Sequence, residues 1–174
     1  MIGTLLWLVV VGIGIYLVFF VFFPLGRGAI YDPSSPDKTY HIAEMAQIAP
    51  GDKAADLGSG DGRVVIALAQ RGAEAHGYEI NPVLVVRSRA NIARAGLSGK
   101  AIIHWGSFWR ADLSPYAVIT VFQVGFVMGR LEDKLRRELA PRARIVSHHW
   151  GFPTLVPMRM RGDVYVYMID APGG

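Results

Sequence analysis

The sequence predicts an α/β domain over residues 38–174: a doubly wound, mostly parallel sheet with an antiparallel C-terminal hairpin, behind one N-terminal transmembrane helix. Three observations predict it. Short apolar, β-branched runs alternate with segments of helical period, the pattern of βαβ units. The run Ala54-Ala55-Asp56-Leu57 leads into a turn with glycines at 58, 60 and 62, after which an apolar helical pattern begins. The first 22 residues after Met1 carry no charge.

That opening run, residues 2–23, would span about 33 Å as a helix, against roughly 30 Å for a bilayer core. Nothing basic precedes it and no small-residue cleavage site follows, so it does not read as a secretory signal. Trp7, Tyr16 and the phenylalanines up to Phe23 supply interfacial anchors, and Pro24 ends the run; a buried core helix is the alternative. All 32 charged side chains lie beyond residue 26, and Arg27 and Lys38 follow the apolar run. This predicts a single-pass protein of the cell membrane with its C-terminal domain cytoplasmic. The domain plan is an anchor at 1–23, a Gly/Pro/Ser-rich linker at 24–37 and a globular domain at 38–174. A net charge of +4 suits an anionic membrane surface or nucleic acid, and no aromatic-basic stripe favours the latter, so no nucleic-acid partner is expected. The absence of cysteine excludes disulfides and thiolate metal sites, and no histidine or carboxylate spacing resembles a metal site.

Within the domain, helical spacing of Ile42, Met45, Ala46 and Ala49 predicts a helix at 39–49, and Pro50-Gly51-Asp52 turns the chain into the first strand. A helix at 61–71 buries Val64, Val65, Ala67 and Leu68 and stops at Gly72. The second strand is 74–80. Asn81 caps the next helix, Pro82 starts it, and Leu84, Ser88, Ile92 and Ala95 form its inner face. Strands follow at 101–105 and 116–122, then a helix at 127–139 with Leu131, Leu135 and Leu139 inward and Glu132–Arg136 and Asp133–Arg137 pairs outward. The fifth strand is 144–148, and 164–169 pairs with 158–160 across Arg161-Gly162-Asp163.

Ligands of such sheets bind outside the C-terminal strand ends, which gathers Gly58, Glu79, Gly106-Ser107-Phe108, Gln123 and Ser147-His148 around one crevice. A dinucleotide turn spaces its third glycine three residues beyond the second; here it comes two residues on. Asp56 and Asp61 would repel a pyrophosphate and attract a cofactor bearing a sulfonium and a free amino group. Glu79, at the end of the second strand, is placed to accept hydrogen bonds from both hydroxyls of a ribose. A purely structural junction, with Glu79 an ordinary strand-end carboxylate, is the alternative.

Asp-Leu-Gly-Ser-Gly-Asp-Gly-Arg (56–63) with Gly77-Tyr78-Glu79-Ile80-Asn81-Pro82 resembles the seven-stranded, S-adenosyl-L-methionine-dependent methyltransferases. More narrowly, Tyr31-Asp32-Pro33-Ser34-Ser35, Leu131-Glu132-Asp133-Lys134-Leu135 and Arg144-Ile145-Val146-Ser147-His148 are similar to the membrane-linked protein-lysine methyltransferases. Mitochondrial members of that group modify the adenine nucleotide translocase and the ATP synthase c-subunit. The resemblance implies a Rossmann-like sheet, a lysine of a membrane protein as acceptor, and S-adenosyl-L-methionine held by Asp56, Gly58, Ser59, Gly60, Gly62, Glu79, Ile80, Ser107 and Phe108. Ser107 departs from the acidic residue common there, and Phe108 or Trp109 could stack on the adenine or belong to the core. The resemblance also implies that the segment of Tyr31 and Ser34 helps shape the acceptor entrance and makes Tyr31, Ser34 and His148 the catalytic candidates, although the His148-His149 pair also reads as structural. Gln123-Val124-Gly125-Phe126 lacks the Asn/Asp-Pro-Pro-aromatic motif of methyltransferases acting on amides or purines, which counts against a nucleic-acid base. Methyl transfer needs positioning rather than a protein nucleophile, and a lysine must first lose a proton, at a cost of about 4.6 kcal/mol at pH 7. Methylation of a lipid-soluble small molecule and a non-catalytic binding module are the rival readings.

Overall fold

The computed structural model describes residues 2–17 and 36–170. The chain divides into two units, Met1–Tyr31 and Asp32–Gly174. The first contains helix α1, Ile2–Leu17, on which Leu6, Trp7, Leu8, Val9, Val10 and Ile13 are all exposed. Among the described residues no helix is long and apolar enough to cross a membrane. The 16 residues of α1 give about 24 Å, short of a bilayer core, and positions 18–23 of the predicted anchor lie outside the described residues.

The second unit is a seven-stranded sheet: β1 Lys53–Leu57, β2 Glu74–Glu79, β3 Ala101–Trp105, β4 Val118–Val121, β5 Arg144–His148, β6 Arg159–Arg161 and β7 Val164–Met168. Their order is β3-β2-β1-β4-β5-β7-β6, parallel except that β7 runs antiparallel to β5 and β6. The order reverses between β1 and β4, which opens a crevice at their C-terminal ends.

Alternation along each strand feeds two cores, because successive side chains point to opposite faces. On one face Ala54, Ala75, Ile103, Val118 and Val146 meet helices α2 (Pro36–Met45), α3 (Arg63–Gln70) and α4 (Pro82–Arg94) through Ile42, Leu68 and Ile92. On the other, Ala55, Leu57, Ile119 and Ile145 meet helix α5 (Met128–Glu138) through Leu131 and Leu135. At the sheet edge all three residues of β6 are exposed, and Arg159 and Arg161 turn back to the Met45 carbonyl and the Glu44 carboxylate of α2.

Several boundaries differ from expectation for identifiable reasons. Helix α2 begins at Pro36, a residue suited to the first turn, and stops short of Ala49 because Gln47 adopts φ 48°. Helix α3 starts at Arg63 rather than Asp61, since the glycine turn runs through Gly62. The inner face of α4 is Val85, Ser88 and Ile92, with Ala95 exposed. Glu132 is buried rather than outward: it holds the Thr154 amide and hydroxyl as well as Arg136. The hairpin pairs one residue later than expected, with Met160 opposite Tyr165 and Gly162-Asp163 as the turn.

Candidate active site

Beyond β1 the chain turns on itself through backbone bonds. The Gly58 and Ser59 amides both donate to the Tyr78 carbonyl of β2, at 2.9 and 3.0 Å, and the Gly62 amide donates to the Ser59 carbonyl. Two glycines are required by sterics. Gly58 has φ 87°, and a Cβ there would lie 2.5 Å from Gln123 Nε2. Gly62 has φ 82°, and its Cβ would lie 2.9 Å from Ser88 Cβ of α4. The turn thus presents bare backbone to the crevice while α4 packs directly behind it.

Glu79 joins this turn. Its Oε2 accepts from the Gly60 amide at 2.9 Å and its Oε1 from the Asn81 amide at 2.7 Å. Each oxygen keeps a second lone pair, so the carboxylate can still receive two hydroxyls. Burial raises its pKa, opposed by the amides of Asn81, Gly60 and Ile80. One strand over, the Thr120 hydroxyl donates to Asp56 Oδ1 at 2.7 Å. Burial pushes the Asp56 carboxyl up to about 7; the Thr120 bond works against this and the Glu79 charge adds to it. The groups that shift these two acids are the Thr120 hydroxyl and the Glu79 charge at Asp56, and backbone amides at Glu79. Asp61 differs. Arg63 grips it through two of its nitrogens, Nε at 2.9 Å and Nη2 at 2.6 Å, and holds its carboxyl below the usual range. The charge expected at Asp61 is therefore paired with Arg63, and the negative potential of the crevice comes from Glu79 and the ionised fraction of Asp56.

The remaining candidates divide. Gln123 donates from Nε2 to the Leu57 carbonyl at 3.0 Å, closing the crevice on the β4 side. Ile80 is half-buried and its carbonyl takes the Trp105 indole N–H. Ser107 is half-buried at the start of a short 3-10 turn, Phe108–Arg110. Phe108 belongs to the second core, and Trp109 packs against that core beneath the Arg130 guanidinium, 4.5 Å from its ring centre. Ser59 is buried beside Gly77, its hydroxyl without a hydrogen-bond partner. His148 is buried at the end of β5 and meets Asp163 rather than the glycine turn. Tyr31 and Ser34 lie outside the described residues. A cleft of about 490 Å³ between α2 and α3, lined by Thr39, Tyr40, Gln70 and Arg71, reaches the Asp61–Arg63 pair from the outer side. Among the described residues no group of three or more histidine, cysteine, aspartate or glutamate side chains could hold a metal ion.

Thr120 and Arg63 were not expected in the site. Thr120 leaves a trace in the sequence, a polar residue inside an apolar strand; nothing local singles out the Arg63 fork.

Comparison with known proteins bears on this arrangement. The family model of the ANTKMT methyltransferase domain matches residues 56–159. The chain is 37% identical over 131 residues to the ATP synthase c-subunit lysine N-methyltransferase of Homo sapiens, covering 75% of this chain and 56% of that protein. It is 36% identical over 155 residues to the adenine nucleotide translocase lysine N-methyltransferase of Mus musculus, covering 86% and 67% respectively. The chain thus spans about half to two thirds of the length of these relatives. Among solved structures, an RNA methyltransferase from Salinibacter ruber in complex with S-adenosyl-L-homocysteine superposes with a TM-score of 0.77 at 31% identity, covering 82% of this chain and 98% of that one.

Proposed function

The chain belongs to the family of the ANTKMT methyltransferase domain, and on that premise we propose that it is a membrane-anchored protein-lysine N-methyltransferase acting on a membrane protein. It is a methyltransferase using S-adenosyl-L-methionine, as its family and the complex of its structural neighbour imply. The crevice suits that cofactor. Two buried carboxylates whose pKa values are raised by burial favour a positively charged ligand, and the side-chain-free turn allows close approach. The observation that carries the reading is the Gly60–Glu79 bond, which aims the strand-end acid at the glycine turn.

When bound, the cofactor supplies a methyl group activated on a cationic sulfur. In this reading Glu79 receives the sugar hydroxyls, the Gly58–Gly62 backbone shapes the space beside them, and Asp56 sets the negative potential. Ile80, Ser107 and Phe108 border the adenine side, and Ser59 supports the turn from below. The lysine acceptor rests on the named activities of two relatives, both directed at membrane proteins. The anchor rests on the uncharged residues 2–23, and a cytoplasmic domain in the cell membrane on Arg27 and Lys38 after them.

Calorimetry with S-adenosylhomocysteine tests the cofactor site. Wild type is expected to bind, and Gly60→Val to lose at least tenfold in affinity, about 1.4 kcal/mol, through its φ of 55° and the lost fit to Glu79. Undiminished binding by the variant would put the ligand elsewhere. Tritiated-methyl labelling of membranes, separated into protein, lipid and RNA, tests the acceptor. Label in protein is expected; label in lipid alone would make the acceptor a lipid-soluble molecule, and label in RNA would move the activity to that of the structural neighbour.

A further inference from the structure

Across the crevice from Glu79, at the C-terminal end of β5, lies a polar cluster that the cofactor contacts leave unused. His148 is 2% exposed. Its Nε2 is 3.1 Å from Asp163 Oδ2 in the hairpin turn, and its Nδ1 is buried without a hydrogen-bond partner. The same Oδ2 receives Lys38 Nζ from α2 at 3.3 Å and stands 4.0 Å from His149 Nδ1. The Phe122 ring, 4.5 Å from the imidazole, completes the setting.

Hydrogen-bond chemistry fixes the tautomer. A carboxylate only accepts, so the hydrogen sits on Nε2 and the lone pair on Nδ1. Burial depresses the basicity of the ring, Lys38 and His149 act in the same direction, and Asp163 opposes them. Near neutral pH the imidazole is therefore uncharged, with one buried acceptor atom unsatisfied. An orphaned buried acceptor costs free energy unless something else meets it.

Its position in the sheet indicates what that is. β2, which carries Glu79, lies on one side of β1, and β4 and β5 lie on the other. Phe122, against the imidazole, directly precedes Gln123, whose amide bonds the last carbonyl of β1. A donor with its sugar toward Glu79 leaves the β4–β5 side for the acceptor. We propose that His148, oriented by Asp163, receives the acceptor amine: Nδ1 takes one N–H of the neutral amine and turns the nitrogen lone pair toward the methyl carbon. The N–C bond forms as the S–C bond breaks, the bonding pair stays on sulfur, and the proton shed by the ammonium before attack goes to water. His148 is the contacting group and Asp163 the positioning residue. This inference rests on the methyltransferase reading.

The test uses the full chain in lipid nanodiscs, with tritiated methyl donor and membranes from cells lacking the protein as acceptor. His148→Ala is expected to cut transfer at least 100-fold while S-adenosylhomocysteine affinity stays within about twofold. His148→Asn, which returns an acceptor oxygen near the Nδ1 position, should recover at least tenfold of that loss. Asp163→Asn should lower turnover and reduce the excess of the Nε2–H tautomer in histidine 15N NMR. Transfer by His148→Ala within threefold of wild type overturns the inference; so does a wild-type spectrum with the hydrogen on Nδ1, a result independent of whether the variants fold. Failure of wild type to bind S-adenosylhomocysteine would instead strike the methyltransferase reading.

Discussion

Asp56 and Glu79 crowd two carboxylates into a buried site, and the cost falls most heavily on Asp56, whose pKa reaches about 7. The unfolded value is 3.8, so between these values the folded chain holds a proton that the unfolded chain has released. Stability without cofactor should therefore fall as pH rises from 4 to 7, by up to about 4 kcal/mol from this group. Asp56→Asn keeps an oxygen for the Thr120 hydroxyl and removes the titration. Thermal melts of the variant are expected to be flatter over that range and higher at pH 8, with S-adenosyl-L-methionine affinity reduced at least tenfold. A wild-type melting temperature that rises between pH 4 and 7 would show that burial does not dominate at this acid. Asp56, Glu79 and the glycines were legible because their spacing alone sets their relation. The Asp61–Arg63 fork was not, since adjacent charges say nothing of which side chain turns back on the other.

Secondary structure resolves how the crevice holds its shape. Helix α4 is capped by Asn81, whose side chain accepts from the Val83 amide while its own amide donates to Glu79. Asn81→Ala should cost about 1 kcal/mol in denaturant unfolding, the usual value of a lost cap. Gly62→Ala should cost more, about 2–3 kcal/mol, because it adds a left-handed backbone penalty to the overlap with Ser88. Equal midpoints for the two variants would mean that α4 shifts to admit the methyl group. Strands were read well, as their apolar runs are short and bounded by glycine or proline. Helix faces were read less well: Leu84 and Val85 are both apolar, and only packing against the turn selects Val85, Ser88 and Ile92. The one-residue slip of the hairpin has the same origin, because Met158 and Met160 are equally exposed and burial gives no preference between registers.

At the scale of the whole molecule, a three-layered α/β/α unit follows an uncharged N-terminal segment in the chain. Deleting residues 1–23 is expected to leave S-adenosylhomocysteine affinity within about twofold, since none of the crevice residues belongs to that segment, and to release the protein from membranes at alkaline pH. Retention of the shortened chain on membranes would transfer the anchoring role to the domain itself. Alternating strands and helices announced a mostly parallel sheet with an antiparallel end, but nothing in their spacing set the order of the strands.

Attachment to a bilayer would confine many copies of this chain to two dimensions, where lateral collisions are frequent and an open strand edge invites stacking of one sheet onto the next. The rim at β6 is only three residues long and carries Arg159 and Arg161, both fastened to α2. So brief and cationic a border offers a neighbour little backbone to zip onto, which would guard this edge of the sheet when copies crowd on a surface.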